Sequence, residues 1–219
     1  MKLDHVTRRS FFKAALPAAV PALVPGAFRA VAADDNAGFV PLFNGKNFDD
    51  WVVDTASIWS VRDGVIIGKS PGLSYNEFLR TKKNYADFIF KGSLWMADGK
   101  GNSGFQFRSR PVPNSHEMSG YQADAGLRYW GSLYDESRRR KTLAGPSDAF
   151  LDKLDPKAWH AYVVTAQGPH IVIELDGVKT VDYTETEPGI EQNGLIGLQV
   201  HMQREPVEMR FKDLWIKVL

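Results

Sequence analysis

Residues 160–183 read HAYVVTAQGPHIVIELDGVKTVDY. Apolar and polar side chains alternate through short runs, and two turn signals, Gln167-Gly168-Pro169 and Asp176-Gly177, separate them. A period of two sends successive side chains to opposite faces of a strand, and Asp-Gly favours tight hairpin turns. The stretch therefore predicts strands joined by turns. The same pattern spreads outward. SIWSVRDGVIIGK (57–69) is a hairpin around Arg62-Asp63-Gly64, DFIFKGSLWM (87–96) alternates, and GLIGLQVHM and EMRFKDLWIKVL close the chain. Capped helical periodicity is absent apart from one short helix or turn near PSDAFLDKLD (146–155). Short strands at this spacing predict an all-β fold, a two-sheet antiparallel jelly-roll sandwich, from Gly38 to Leu219 without linker or repeat. Trp95, Trp159 and Trp215 are expected in its core.

The 219 residues are 43% hydrophobic and 24% charged, an ordinary globular composition. There is no cysteine, which removes disulfides, thiolate metal sites and thiol nucleophiles. The N-terminus reads TRRSFFKAALPAAVPALVPGAFRAVAADD (7–35). Arg8 and Arg9 precede a mildly apolar stretch broken by Pro17, Pro21 and Pro25 that ends in small residues. This predicts a twin-arginine export signal over residues 1–33, and hence a periplasmic or secreted protein. The stretch is too short and too rich in proline to be a membrane span. Residues 1–33 hold five Lys or Arg and one Asp, so removing them turns 27 basic and 26 acidic residues into 22 and 25. No basic stripe is left for nucleic acid; Arg138–Lys141 reads as a solvated loop.

Sorting strand residues by face separates two kinds of side chain. In GNSGFQFR (101–108), Asn102, Gln106 and Arg108 lie opposite Phe105 and Phe107. In GYQAD (120–124), Gln122 and Asp124 share a face, and in GLQVHM (197–202) Gln199 and His201 do. Amides, an acid, a guanidinium and an imidazole on one face suit hydrogen bonding to sugar hydroxyls, so this face is expected to line a concave surface. Singly, each has a plainer reading: Arg108 as a surface ion-pair partner, His201 as a structural histidine, Asp124 as a turn cap, Tyr134 as core or rim. Trp130, in the polar loop RYWGSLYDESRRR (128–140), is a candidate sugar-stacking platform. Asp135 and Glu136 are adjacent and point opposite ways. No Gly-x-Ser-x-Gly, P-loop or His-Glu-x-x-His is present, and no strand carries the alternating acids of a two-carboxylate glycosidase.

FVPLFNGKNFDDW, WSVRDGVI, YADFIF, GNSGFQFR, GYQAD, WGSLY, AWHAY, ELDG, GLIGLQVH and MRFKDLWIK occur in order between residues 39 and 217. Together they resemble the DUF1080 family of 3-keto-disaccharide hydrolases, whose fold is concanavalin A-like (laminin G-like). The chain departs from the family pattern at three places. Gln122 and Asp124 stand in a Gly-Tyr-Glu-x-Gln motif, His160 follows Trp159 in place of Asn, and Trp130-Gly131 replaces Thr-Gly.

The resemblance implies cleavage of sugars oxidised at C3, by proton removal at C2, β-elimination of the C1 substituent and hydration. Under it His201 is the base or acid, and Arg108 stabilises the enolate. Asp124 orients His201, acts as second acid–base group or ligates a metal. Asn102, Gln106, Gln122, Gln199, Trp130 and Tyr134 bind the sugar. The oxygen and imidazole donors admit a divalent cation, with no spacing that requires one. The expected partners are a 3-keto sugar and a sugar 3-dehydrogenase in the same pathway. The competing reading is a lectin-like carbohydrate-binding domain without turnover, since one fold serves many functions; a structural interaction domain would need an apolar surface the sequence does not signal.

Overall fold

The computed structural model describes residues 37–219, and the export-signal reading of residues 1–33 falls outside them. In chain order the strands are β1 (Val40–Pro41), β2 (Trp51–Val52), β3 (Trp59–Arg62), β4 (Val65–Ser70), β5 (Glu77–Thr81), β6 (Phe88–Met96), β7 (Ser103–Pro111) and β8 (Met118–Ala125). They continue as β9 (Leu133–Glu136), β10 (Lys141–Ala144), β11 (His160–Gln167), β12 (His170–Leu175), β13 (Val178–Thr184), β14 (Leu195–Val200) and β15 (Val207–Val218). A single turn of helix, α1 (Asp148–Leu151), lies where PSDAFLDKLD suggested one.

Two antiparallel sheets pack as a sandwich. The first has the order β13-β12-β11-β6-β15-β4-β3, with β1 added beside β15; the second has β10-β9-β8-β7-β14-β5-β2. The hairpins fall where the turn residues placed them. Asp63 and Gly64 have φ of 51° and 76°, Asp176 and Gly177 of 51° and 77°, the left-handed pairs a two-residue hairpin needs. Non-local pairing does the rest: β15 runs between β6 and β4, and β14 between β7 and β5.

The core lies between the sheets. Phe88, Phe90, Leu94, Tyr162, Val164, Ile171, Phe211 and Ile216 come from the first sheet, Phe105, Phe107, Tyr121, Ala123 and Leu198 from the second. Phe105 sits at the centre, with ring centroids 5.0 Å from Phe90, 5.3 Å from Tyr162 and 5.8 Å from Phe211. Burying each such side chain contributes about 1.5–3 kcal/mol. In β6 and β11 every second residue is buried, the mark of one face on the core and one in water. In β7, β8 and β14 nearly every residue is buried, so the outer face of the second sheet is also covered.

The tryptophans divide against expectation. Trp95 and Trp215 are half-buried and Trp159 is exposed, all on or beside the outer face of the first sheet. The core tryptophans are Trp51, Trp59 and Trp130. Trp95 and Trp159 face each other at 6.4 Å, under the cations of Arg210 and Lys212, which shield their rings from water.

Candidate active site

The covered outer face of the second sheet holds a pocket of about 290 Å³ lined by Asn76, Asn102, Gln122, Asp124, Leu127, Tyr129, Tyr134, Glu136 and His201. Its size suits one sugar unit rather than a long chain. Five of the nine were expected from strand alternation or the loop: Asn102, Gln122, Asp124, Tyr134 and His201.

Register brings them together. In β7 and β8, Gly104 is opposite Asp124 and Gln106 opposite Gln122; in β8 and β9, Gln122 is opposite Tyr134 and Gly120 opposite Glu136. Gln122, Asp124, Tyr134 and Glu136 thus share the outer face while Tyr121, Ala123 and Leu133 enter the core. Gly104 is required there. A Cβ on it would stand 2.6 Å from Nε2 of Gln122 and 2.7 Å from the carbonyl of Ala123, so any side chain would displace the pocket floor.

Asp124 is the chemical centre. It is 4% exposed, and its Oδ1 accepts hydrogen bonds from Nδ2 of Asn102 (2.9 Å) and from the backbone N–H of Ala125 (2.8 Å). No Lys or Arg lines the pocket. Burial pushes the carboxyl up to about 8; the two hydrogen bonds pull the other way, and the charge of Glu136 adds to the rise. Both hydrogen bonds fall on Oδ1, so the proton belongs on Oδ2. The main chain of Asp124 is fixed as well: its N–H donates to Ser132 O, and its carbonyl accepts from Gly131 N–H and from the hydroxyl of the buried Tyr162.

His201 is half-buried at the end of β14. Its Nδ1 lies 2.7 Å from the carbonyl of Met202. A carbonyl can only accept, so Nδ1 carries the hydrogen and Nε2 of the neutral ring presents a lone pair. Asn76 supports this corner, accepting the N–H of Met202 and donating to both oxygens of Glu117. Burial, with Glu117 nearby, raises the Glu136 carboxyl; burial, with Glu136 and Asp124, raises the Tyr134 phenol, which stays a donor. Behind the pocket Nε2 of Gln122 donates to Oε1 of Gln199 at 2.7 Å.

Four expected residues stand elsewhere. Arg108 is the largest correction. It has φ of 45° in a β-bulge between Phe107 and Arg110, which breaks the alternation and turns its side chain off the outer face. Buried, it donates to Ala86 O (2.7 Å), Gly168 O (2.7 Å) and Oδ1 of Asp87 (3.0 Å), where it ties loops together. Trp130 is 1% exposed and packs on His160 at 4.5 Å, so it is core and no platform. Gln106 and Gln199 share the outer face but are wholly buried outside the lining, and neither amide is fully hydrogen bonded.

Alternation did not point to Asn76, Leu127, Tyr129 or Glu136. Tyr129 and Glu136 are sequence neighbours of Trp130 and Asp135, and Glu136 follows from the opposed directions of residues 135 and 136. Asn76 and Leu127 lie in loops and carry no local signal. Among the described residues no three His, Cys, Asp or Glu side chains stand where they could jointly hold a metal ion.

Known proteins agree with this architecture. A glycosyl hydrolase, so assigned, from Parabacteroides distasonis superposes with a TM-score of 0.64 at 22% identity, covering 84% of this chain and 95% of its own. A second from the same organism gives 0.59 at 20% identity, covering 83% and 99%. The carbohydrate binding module CBM66 from Bacillus subtilis gives 0.50 at 17% identity, covering 77% and 96%. Among curated proteins none matches significantly. The family model of the 3-keto-alpha-glucoside-1,2-lyase-like domain matches residues 38–217, and the chain belongs to that family.

Proposed function

We propose that the protein cleaves glycosides oxidised at C3, using His201 and Asp124 as a base–acid pair. The observation that carries this reading is the pairing itself. One pocket holds an imidazole with a free lone pair and a buried carboxyl that keeps its proton near neutrality.

The C3 ketone acidifies the proton on C2. Nε2 of His201 takes that proton, and the C–H electron pair becomes an enolate on the C3 oxygen. Free N–H bonds of Asn102 and Gln122 and the Tyr134 hydroxyl supply hydrogen bonds to sugar oxygens, the enolate among them. As the enolate collapses, C1=C2 forms and the C1–O bond breaks. Oδ2 of Asp124 gives its proton to the departing oxygen, which leaves as the alcohol. Water then adds to the enone, hydroxyl at C1 and proton at C2. The scheme needs no opposed carboxylate pair, consistent with the sequence. Arg108 has no part in it. Family membership supports the substrate class, and the polar lining supports a sugar. The N-terminal reading supports export, next to an enzyme that oxidises the C3 hydroxyl.

Purified protein incubated with a 3-keto glucoside is expected to release the aglycone, and to leave the unoxidised glucoside intact. Binding of unoxidised glycans without release from the keto sugar would instead establish a carbohydrate-binding domain.

A further inference from the structure

We infer that the mouth of the pocket is an aglycone site for a flat apolar group, an aromatic ring in preference to a second sugar, formed by Leu127 and Tyr129; this rests on the reading of the pocket as a glycoside site. Leu127 is 69% and Tyr129 42% exposed, and both line the pocket. They sit on a turn that follows Asp124 directly. The leaving oxygen must approach Oδ2 of Asp124, in the pocket that Leu127 and Tyr129 also line, so a group attached to it is within reach of this turn.

The turn holds these side chains in water by design of its contacts. Leu127 has φ of 48°, a left-handed conformation unfavourable for leucine. Tyr129 N–H donates to Gly126 O (2.8 Å), Ser132 N–H to Tyr129 O (2.9 Å), and Gly131 N–H to Asp124 O (3.0 Å). Between the two apolar residues, Arg128 reaches Asp148 and Asp152 on α1 and at its end, which anchors the turn from outside. A side chain placed with backbone strain and exposed apolar area gains nothing in folding; contact with an apolar ligand would use it. Leu127 offers a sugar hydroxyl no hydrogen bond, while a ring can lie on Tyr129 and against Leu127.

The test compares benzyl and methyl glucosides, unoxidised so that the proposed chemistry leaves them intact, by calorimetric titration. The benzyl glucoside is expected to bind at least about tenfold more tightly. Tyr129→Ala and Leu127→Gly, the latter relieving the backbone, should each reduce that ratio below about threefold, and Tyr129→Phe should keep it. Equal affinities in the unsubstituted protein, or no measurable binding of either, overturns the inference. So does a ratio that survives both substitutions. Turnover of the 3-keto forms is read separately: no cleavage with the benzyl preference intact overturns the proposed activity and leaves the aglycone site standing.

Discussion

Asp124 and Asp135 lie on neighbouring strands of one sheet, both buried, with opposite surroundings. Asp135, wholly buried, takes the guanidinium groups of Arg138 and Arg139. Arg139 continues to Glu185, which accepts the Tyr121 hydroxyl at 2.6 Å. Burial alone would raise Glu185, but the hydrogen bonds from Arg139 and Tyr121 prevail and bring it to about 2. Asp124 has an amide, a backbone N–H and no cation, and it rises to about 8. Glu185, balanced by Arg139, is held ionised, and with Asp135 it ties the two arginines into the fold. A buried carboxyl left without a cation keeps its proton and can give it away.

The largest difference between the two carboxyls is expected in activity. Asp124→Asn keeps the shape and removes the proton, and His201→Ala removes the base; each should cut kcat on a 3-keto glucoside by 10²–10⁴-fold, the usual range for a general acid or base. Near-normal turnover in either variant would strip that residue of its role. On the other side, Asp135→Ala leaves two arginines without their buried partner. Chemical denaturation should show a loss of about 3–5 kcal/mol.

Arg108→Ala should cost about 2–4 kcal/mol by the same assay, since it abandons two carbonyls and Asp87. Activity per folded molecule should persist, and its loss would return Arg108 to the catalytic set.

The last effect is a slope. Asp124 binds its proton more tightly in the folded chain (about 8) than in the unfolded one (about 3.9). Its contribution to stability is full below pH ~4 and declines as pH rises towards 8. Glu185 acts in reverse, contributing above pH ~4.5 and losing its share as pH falls towards 2. Denaturation across this range should show the first decline vanish in Asp124→Asn and persist in Asp135→Ala.

What the sequence disclosed depended on whether the period of two survived. It holds through Asn102, Gln106, Gln122 and Asp124, so their shared face was legible. It fails at Arg108, where a non-glycine residue takes a positive φ in mid-strand, and at Asp213, where β15 shifts register in the same way. Neither residue type announces a bulge. The tryptophans misled for another reason: the indoles under Arg210 and Lys212 sit on an outer face, and alternation cannot tell which face meets the other sheet. The mouth residues Leu127 and Tyr129 belong to a turn anchored by α1, a contact between distant segments.

The most direct measurement is the titration of the Asp124 carboxyl carbon by ¹³C NMR. A midpoint near 8 is expected, with the group neutral at pH 7 in the pocket it shares with His201. A midpoint at or below ~4, the ordinary value for an aspartate, would contradict that expectation.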